Sequence, residues 1–513
     1  MRLICFALAA VLTTPHISAA PADEQLDLAA LARIRDEALN RSQLMDTVSY
    51  LADVVGPRLT GSPALLRGEE YARDRLKAVG LINAHLEPWG PFGRGWTLER
   101  FSASMTAPDF MPLIAYPKAW SPGTNGAVRA DAVILDVKTL ADLEKYRGKL
   151  RGRIVLWSPV RAVDAVVRAP QRQSDEALRA LEAMPPPAPR RPAQLDPEMR
   201  AAEQLNYDKW QLVQREGAAA VLTAAPGDHG TVYVTAATVP YPPDVPFNAR
   251  PGAWSMTAPA LVPQIAVSAE QYNRLVRLAE RGVPVQVAID VGVRFHTADT
   301  MAYNVIADLP GTDLAREVVM IGGCIDSWHT ATGATDNAAG AATAIEAVRI
   351  IHALGLHPRR TIRVGLWSAE EQGRLGSPAY VAAHFARGLP DNGTLAGYFN
   401  LDYGSGRIRG IYTHGNTDVV PIFKAWLEPL RDLGVSTVSL ADVGADDESF
   451  DEAGLPGFQF IRDYMEGRDS RVGHTNMDVL DHVLVDDLKQ SAAVAASFIY
   501  TLSMRDQPLP RKR

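Results

Sequence analysis

Residues 318–326 read VVMIGGCID, an apolar run of strand length that ends in a cysteine and an aspartate. Short apolar runs bounded by turn residues are typical of buried β-strands. From residue 301 onward such runs alternate with helical stretches, which indicates a central, largely parallel sheet covered by helices. Ligands bind such sheets outside the carboxyl ends of the strands. The side chains that follow residues 318–325 are therefore the first candidates for a site.

The patterns around this run predict the neighbouring elements of an α/β fold. The predicted strands are 304–309, 318–325, 361–367 and 396–401, and the predicted helices are 338–354, 378–386 and 419–433. Nearer the N-terminus, apolar residues at helical spacing predict helices over 26–39 and 65–76, and strands are expected over 83–89 and 96–105.

The stretch 112–293 has a different pattern of apolar and turn residues. Short apolar runs at 132–135, 154–157 and 218–222 alternate with turn residues, which predicts a mostly β insert. Within it, residues 169–197 are rich in Pro, Arg, Ala and Gln, a composition that favours a solvated loop over a packed element.

The first 22 residues have the order of a secretory signal peptide. Met1 and Arg2 precede an apolar run over 3–12, and small residues follow at Ala20 and Ala22. We expect cleavage after Ala22 and export to a periplasmic or extracellular compartment. The run is shorter than the roughly 20 residues needed to span a bilayer, so no membrane span is expected once the signal is removed.

The charge balance indicates which kinds of binding partner to expect. The formal net charge is −7 at pH 7, and there is no long run of Lys and Arg. Nothing in this pattern favours nucleic acid or an anionic membrane, so small molecules or peptides are the expected partners.

The number of cysteines limits the disulfides that the mature chain can form. The chain has two cysteines, Cys5 and Cys324, and removal of the signal peptide would leave Cys324 without a disulfide partner. A free thiol in an oxidising compartment needs burial or a metal, and both explanations remain open at this point.

Acidic side chains follow several of the predicted strands. Each alone is most often a helix cap or a solvated loop residue. Together they would repel one another unless a cation neutralised them, and carboxylate and imidazole donors suit zinc. The group comprises Asp326, Asp336, Glu370, Glu371 and Asp402, with His474 further along the chain.

The order of these motifs resembles that of the zinc exopeptidases that include carboxypeptidase Q, glutamate carboxypeptidase and bacterial aminopeptidases. The motifs are GGCIDSW (322–328), GATDN (333–337), WSAEEQG (367–373), NLD (400–402), SFDEAGLP (449–456) and HTNMD (474–478). The insert more loosely resembles the protease-associated domain of carboxypeptidase Q and its relatives.

The resemblance implies a domain plan with an α/β zinc exopeptidase fold. Its central sheet is mixed and mainly parallel, flanked by helices, with a β-rich protease-associated-like insert. The expected units are a signal peptide at 1–22, the first part of the catalytic domain at 23–111, the insert at 112–293 with its Pro-rich loop 169–197, and the rest of the catalytic domain at 294–513.

The resemblance also implies roles for the site residues. Two zinc ions would share Asp336 as a ligand. Glu371 and His474 would complete the coordination of one ion, and Asp402 and residue 324 would complete that of the other. Glu370 would be the general base for a metal-activated water, and Asp326 would orient the ligand at position 324. The bond Asp336–Asn337 resembles the family's cis peptide.

This sequence departs from the family at position 324, where Cys replaces His. Cysteine binds zinc as a thiolate, but it is shorter than histidine and offers Asp326 no ring N–H, so whether one or two zinc ions bind stays open. Two further positions differ: Asp447 stands where relatives commonly have His, and Gly473 where many have His.

The first functional hypothesis is an exported, zinc-dependent metallo-exopeptidase that hydrolyses dipeptides or short peptides. The alternatives are a single-zinc acyl transferase like the glutaminyl cyclases and a catalytically degenerate binding relative. The direction of attack and a homodimer are left open. Arg462, Arg468 and Arg471 are candidates to anchor a substrate carboxylate.

Overall fold

The computed structural model describes residues 24–166, 171–188, 196–464 and 472–512. The predicted signal peptide, both flanks of the Pro-rich segment, and Arg468 and Arg471 lie outside these residues. Within the described ranges, every helix is too short or too polar to cross a bilayer.

Sixteen strands are described. They are β1 (Ile82–Trp89), β2 (Gly95–Ala107), β3 (Met111–Pro112), β4 (Ala115–Pro117), β5 (Val128–Ile134), β6 (Ile154–Leu156), β7 (Ala220–Ala224), β8 (Gln264–Val267), β9 (Gln286–His296), β10 (Ala302–Leu309), β11 (Leu314–Cys324), β12 (Arg360–Trp367), β13 (Leu395–Asn400), β14 (Ile408–Tyr412), β15 (Thr437–Ser439) and β16 (Gly457–Arg462).

The α-helices of the described residues number eleven. They are α1 (Leu28–Asn40), α2 (Leu44–Ser49), α3 (Pro63–Ala78), α4 (Asp175–Glu182), α5 (Pro197–Glu216), α6 (Ala269–Glu280), α7 (Ala339–Ala353), α8 (Gly376–His384), α9 (Val420–Leu427), α10 (Asp447–Glu452) and α11 (Val485–Met504).

The first sheet is mixed, as the sequence predicts, and has the order β1-β10-β12-β11-β13-β16-β14-β15. Its centre is parallel, because β12, β11, β13 and β16 run in the same direction. The strands β1 and β10 extend it in antiparallel fashion. The carboxyl ends of four central strands therefore meet at one edge, where the loops that follow them can converge.

Strand β11 shows how the apolar run is buried on both faces. Val319 and Ile321 pack with α1, α7 and α11 on one side, in the largest core cluster. The alternate residues Val318 and Met320 pack on the other side, with residues of α8 and α10. This two-residue alternation between covered faces explains why the whole run is apolar.

One predicted helix differs from the structure. The expected helix 419–433 is α-helical only over α9 and continues as a 3₁₀ segment, Glu428–Leu433. Pro429 lies at the start of that segment, and a proline has no N–H for an α-helical hydrogen bond. Pro429 therefore explains the change from the α-helix to the tighter 3₁₀ turn.

The second sheet has the order β3-β2-β9-β5-β6-β7-β8-β4. It takes in β2, which lies before the expected insert boundary at residue 112, and pairs it along its length with β9. The segment is also less exclusively β than the sequence predicts, since α5 is 20 residues long and α6 packs its Tyr272 and Leu275 into the core of this sheet.

The Pro-rich segment differs from the solvated loop that its composition predicts. Ser174 caps α4 within it, and Leu178 of that helix is buried. Leu181 packs against Tyr412 and Ile461 of the first sheet. Arg172, just before the helix, forms ion pairs with Asp463 and Asp487. The described part of this segment therefore binds the unit built around the second sheet, residues 95–296 and here called the second unit, to the first sheet.

Arg58 fixes the N-terminal part of the chain to the loop after β11. Its side chain is fully buried. The guanidinium donates to five backbone carbonyls, those of Leu51 (3.0 Å), Gly56 (3.1 Å), Ile325 (2.8 Å), Thr332 (2.8 Å) and Gly333 (2.7 Å). A buried carbonyl that loses its donor is destabilising, so this single side chain supports much of the loop that carries Asp326.

We predict that Arg58→Met destabilises the protein strongly. Each carbonyl left without a donor costs about 1–3 kcal/mol, so the free energy of unfolding should fall by about 3 kcal/mol or more. Denaturant unfolding followed by circular dichroism measures the change.

Arg67→Met is the matched control. Arg67 is exposed on α3 and donates to one carbonyl, that of Pro63, at 3.2 Å. Its loss should change the unfolding free energy by less than about 0.5 kcal/mol. Equal effects of the two substitutions would refute the role assigned to Arg58.

Candidate active site

The loops at the carboxyl edge of the first sheet bring the predicted ligands together. Cys324 is the last residue of β11, Glu370 and Glu371 follow β12, and Asp402 follows β13. Asp336 lies in the irregular segment Ala334–Ala338 before α7. His474 reaches the same place from the loop between β16 and α11.

These side chains form two groups of three that share one aspartate. In each group, one ligand atom from every residue lies within 4.8 Å of the others. The first group is Asp336, Glu371 and His474, and the second is Cys324, Asp336 and Asp402. The division matches the pairing that the family resemblance implies.

The imidazole of His474 stands between two carboxylates. Its Nε2 lies 3.0 Å from Oε2 of Glu371 and 3.1 Å from Oδ2 of Asp336. Burial alone would lower the pKa of His474, but these two carboxylates outweigh it and raise the pKa well above its ordinary value. The same nitrogen that meets both carboxylates is the atom that would face a cation between them.

Burial and mutual repulsion oppose ionisation of the acids in this cluster. Burial, followed by neighbouring carboxylates, raises the pKa of Asp402 to about 7 and that of Glu370 well above its usual range. Burial raises the pKa of Glu371 to about 8, although His474 acts in the opposite direction. A divalent cation would remove this repulsion, and the oxygen, nitrogen and sulfur donors present suit zinc.

One unpaired atom supports the fit of a metal. Oε1 of Glu371 is buried and has no hydrogen-bond partner among the described residues. A buried carboxylate oxygen without a partner is costly unless a ligand binds it.

Asp326 contacts a different neighbour from the one that the resemblance implies. It accepts hydrogen bonds from the hydroxyl of Thr60 (2.9 Å) and from the backbone N–H groups of Glu370 (3.2 Å) and Glu371 (3.4 Å). Burial raises its pKa to about 6. Asp326 thus holds the turn that carries the two glutamates, and Thr60 is a contributor that sequence reasoning missed.

Cys324 is fully buried, and its sulfur belongs to the second ligand group. The amide nitrogen of Asn337 lies 3.3 Å from Sγ and also donates to the carbonyl of Leu401 at 2.8 Å. Burial raises the pKa of the thiol. The peptide bond Asp336–Asn337 is cis.

Asp478 supports the shared aspartate. Its Oδ1 accepts from the backbone N–H (2.6 Å) and the hydroxyl (2.8 Å) of Thr335, and its Oδ2 accepts from the N–H of Asp336 at 3.2 Å. The sequence places Asp478 in the HTNMD motif, but nothing in the spacing reveals this role. The contact depends on the fold of two loops that are 142 residues apart.

Neither ligand group contains His329, Arg462 or Asp447. The Nε2 atom of His329 is 2.7 Å from the carbonyl oxygen of Pro117. Arg462 is buried and donates to the carbonyl of Gly404 at 2.9 Å, so it is not positioned as an open anchor for a substrate carboxylate. Asp447 is buried against His414.

Comparison with known proteins agrees with this geometry. The profile of peptidase family M28 matches residues 304–499. Carboxypeptidase Q of Bos taurus is 26% identical over 477 residues, which covers 93% of this chain and 88% of the relative.

Solved structures share the fold. A peptidase M28 precursor from Shewanella amazonensis superposes with a TM-score of 0.67 at 25% identity, covering 94% of this chain and 98% of that one. BSAP, a zinc aminopeptidase from Bacillus subtilis, has a TM-score of 0.53 at 16% identity over 89% of this chain and 93% of its own, a likeness of fold alone. On these matches the protein is a metallopeptidase, similar in residues 304–499 to peptidase family M28 and over most of its length to carboxypeptidase Q.

Proposed function

We propose that this protein is an exported zinc-dependent exopeptidase that hydrolyses dipeptides or short peptides. The observation that carries the proposal is the pair of ligand groups that share Asp336, with Glu370 next to Glu371 in the same turn. Similarity to carboxypeptidase Q over most of both chains supports a peptide substrate.

Asp336, Glu371 and His474 would hold one zinc ion, and Cys324, Asp336 and Asp402 the other. When bound, zinc would supply Lewis acidity that polarises the scissile carbonyl and makes water a better nucleophile at neutral pH. Asp326 would keep Glu370 and Glu371 in register through the two backbone N–H groups that it binds.

Glu370 would transfer the proton. Its carboxyl group is buried beside Asp402 and Asp446, which raises its pKa and favours acceptance of a proton from the attacking water. The same carboxyl group could then deliver that proton to the amine that leaves. A carboxylate held outside both ligand groups is free for this task.

Two side chains next to the ligands offer groups for a peptide backbone. The ring of Trp328 lies 5.9 Å from that of His474, and Gln372 follows Glu371 directly. Among the described residues, Trp328 Nε1 and both amide atoms of Gln372 are buried without hydrogen-bond partners. These atoms would bind substrate amide groups, because buried polar groups need partners.

We further propose that the chain acts outside the cytoplasm. The order of charged, apolar and small residues at 1–22 supports cleavage after Ala22. The arrangement of a catalytic unit interrupted by a protease-associated-like insert is part of the same proposal. It is supported by the second sheet, whose strands run from Gly95 to His296.

The proton-transfer role of Glu370 is tested by Glu370→Gln. This change keeps size and polarity but removes the proton acceptor, so kcat on a dipeptide should fall by about 10²–10⁴-fold. Zinc content should stay at the level of the parent, because Glu370 belongs to neither ligand group. Amino acid release and metal analysis of the same preparation measure both quantities.

Glu198→Gln serves as the control for this substitution. Glu198 is exposed in the first turn of α5, far along the chain from the ligands, and its loss should leave both quantities unchanged. Full activity of Glu370→Gln would contradict the proposed role. Release of ammonia from an N-terminal Gln substrate, without free amino acids, would favour the cyclase alternative.

A further prediction concerns the sulfur of Cys324 as a metal ligand. With Co²⁺ in place of zinc, the protein should show a thiolate-to-cobalt charge-transfer band in the near ultraviolet. Cys324 is the only cysteine after residue 5, so the band would report this residue alone. Cys324→Ser should abolish the band while the ion held by Glu371 and His474 remains.

Cys324→His extends this test to activity. A thiolate adds a negative charge that neutral histidine does not, which weakens the Lewis acid, so Cys324→His should hydrolyse dipeptides faster than the parent. A cobalt-loaded parent without the charge-transfer band would show that Cys324 is packed beneath the site and binds no metal.

A further inference from the structure

The metal-ligand loop is in contact with the second sheet's unit as well as with the first sheet. Residues 232–234 run alongside residues 474–476, and Tyr233 and Thr475 form an isolated antiparallel bridge. The N–H of Val234 donates to the carbonyl of His474 at 3.0 Å. The N–H of Val232 donates to Oδ1 of Asn476 at 2.8 Å. The second unit thus binds the main chain of His474 and the side chain of Asn476, two residues later.

Tyr233 adds a side-chain contact to this backbone pairing. Its hydroxyl oxygen lies 3.0 Å from Nδ1 of His474, and the two rings pack with centroids 5.3 Å apart. Nδ1 is the ring nitrogen that points away from Glu371 and Asp336, since Nε2 faces both of them. The hydroxyl therefore meets the imidazole on the side opposite the proposed ion.

The backbone of His474 has a conformation that needs support from neighbouring contacts. Its φ is +60°, a left-handed conformation that is uncommon for a residue with a Cβ. Such a conformation persists where neighbouring contacts determine it, and here the Val234 N–H binds the carbonyl of the same residue. The position of the ring is consequently set by the second unit at the main chain and at Nδ1.

We propose that Tyr233 is a positioning residue for the metal ligand His474. Nδ1 carries the proton and donates it to the Tyr233 hydroxyl, which leaves the lone pair of Nε2 available to the ion between Glu371 and Asp336. The second unit thereby takes part in metal binding without supplying a ligand. This inference rests on the proposed function, because it assumes an ion in that group.

The test compares Tyr233→Phe with the parent in zinc binding by the purified metal-free protein. A lost hydrogen bond to a ligating histidine typically weakens metal affinity 10- to 100-fold, so the dissociation constant of the tighter zinc should rise by about 10-fold or more. Competition with a chromogenic chelator measures it. The phenylalanine keeps the ring contact, so the metal-free variant should melt at the temperature of the parent.

Tyr116→Phe is the matched control. Tyr116 lies on β4 in the same unit and packs against the cluster that contains Val232 and Val234. It is half-buried and lies outside both ligand groups. Loss of its hydroxyl should leave zinc affinity unchanged.

A second readout separates the two ligand groups. In cobalt-loaded protein, the thiolate charge-transfer band of Cys324 should keep its intensity in Tyr233→Phe at saturating metal. The visible d–d bands should shift, because they include the ion that His474 binds. Unshifted d–d bands in a fully loaded variant would count against the inference.

The outcomes distinguish this inference from the proposed function. If the parent binds zinc and Tyr233→Phe binds it with the same affinity, the positioning role is overturned and the proposed function stands. Equal weakening in Tyr233→Phe and Tyr116→Phe would also overturn it, since packing would then explain the loss. A parent that binds no zinc at all would overturn the proposed function, and the inference with it.

Discussion

Burial of several carboxyl groups at one edge of a sheet is the constraint on which the rest of this structure depends. Asp402, Glu370 and Glu371 are buried near one another, and burial raises the pKa of each. Without a cation, they can ionise together only at a large cost in free energy. The structure brings imidazole and thiol donors to the same place, which makes a divalent metal the natural solution.

The surrounding architecture holds these groups against their repulsion. Arg58 fixes the loop after β11 through backbone carbonyls, and Asp478 fixes the N–H of Asp336. Asp326 fixes the turn of the two glutamates. None of these three residues belongs to either ligand group, but each positions a segment that does. In metal sites such supporting contacts set ligand orientation, which is why their loss is felt as strongly as that of some ligands.

The sequence predicts five strands of the first sheet, β1 and β10 to β13, and misses β14, β15 and β16. The parallel centre makes β11 apolar on both faces and therefore easy to recognise. The sequence also predicts that side chains after β11, β12 and β13 converge, since the carboxyl ends of these strands share an edge. The division into two ligand groups is what the resemblance, and not the spacing, implies. The sequence misses Thr60, Tyr233 and Asp478, because each acts through a contact between distant segments. The Pro-rich stretch conceals α4, whose single buried residue, Leu178, gives no periodic signal.

The measurement that tests the central claim most directly is anomalous diffraction at the zinc edge from crystals of the protein grown with zinc. The account predicts two peaks, one among Asp336, Glu371 and His474 and one among Cys324, Asp336 and Asp402. A single peak in the first group would restrict the centre to one ion and remove Cys324 from it. Fully occupied zinc elsewhere, with no peak in either group, would contradict the claim that these buried acids form a metal centre.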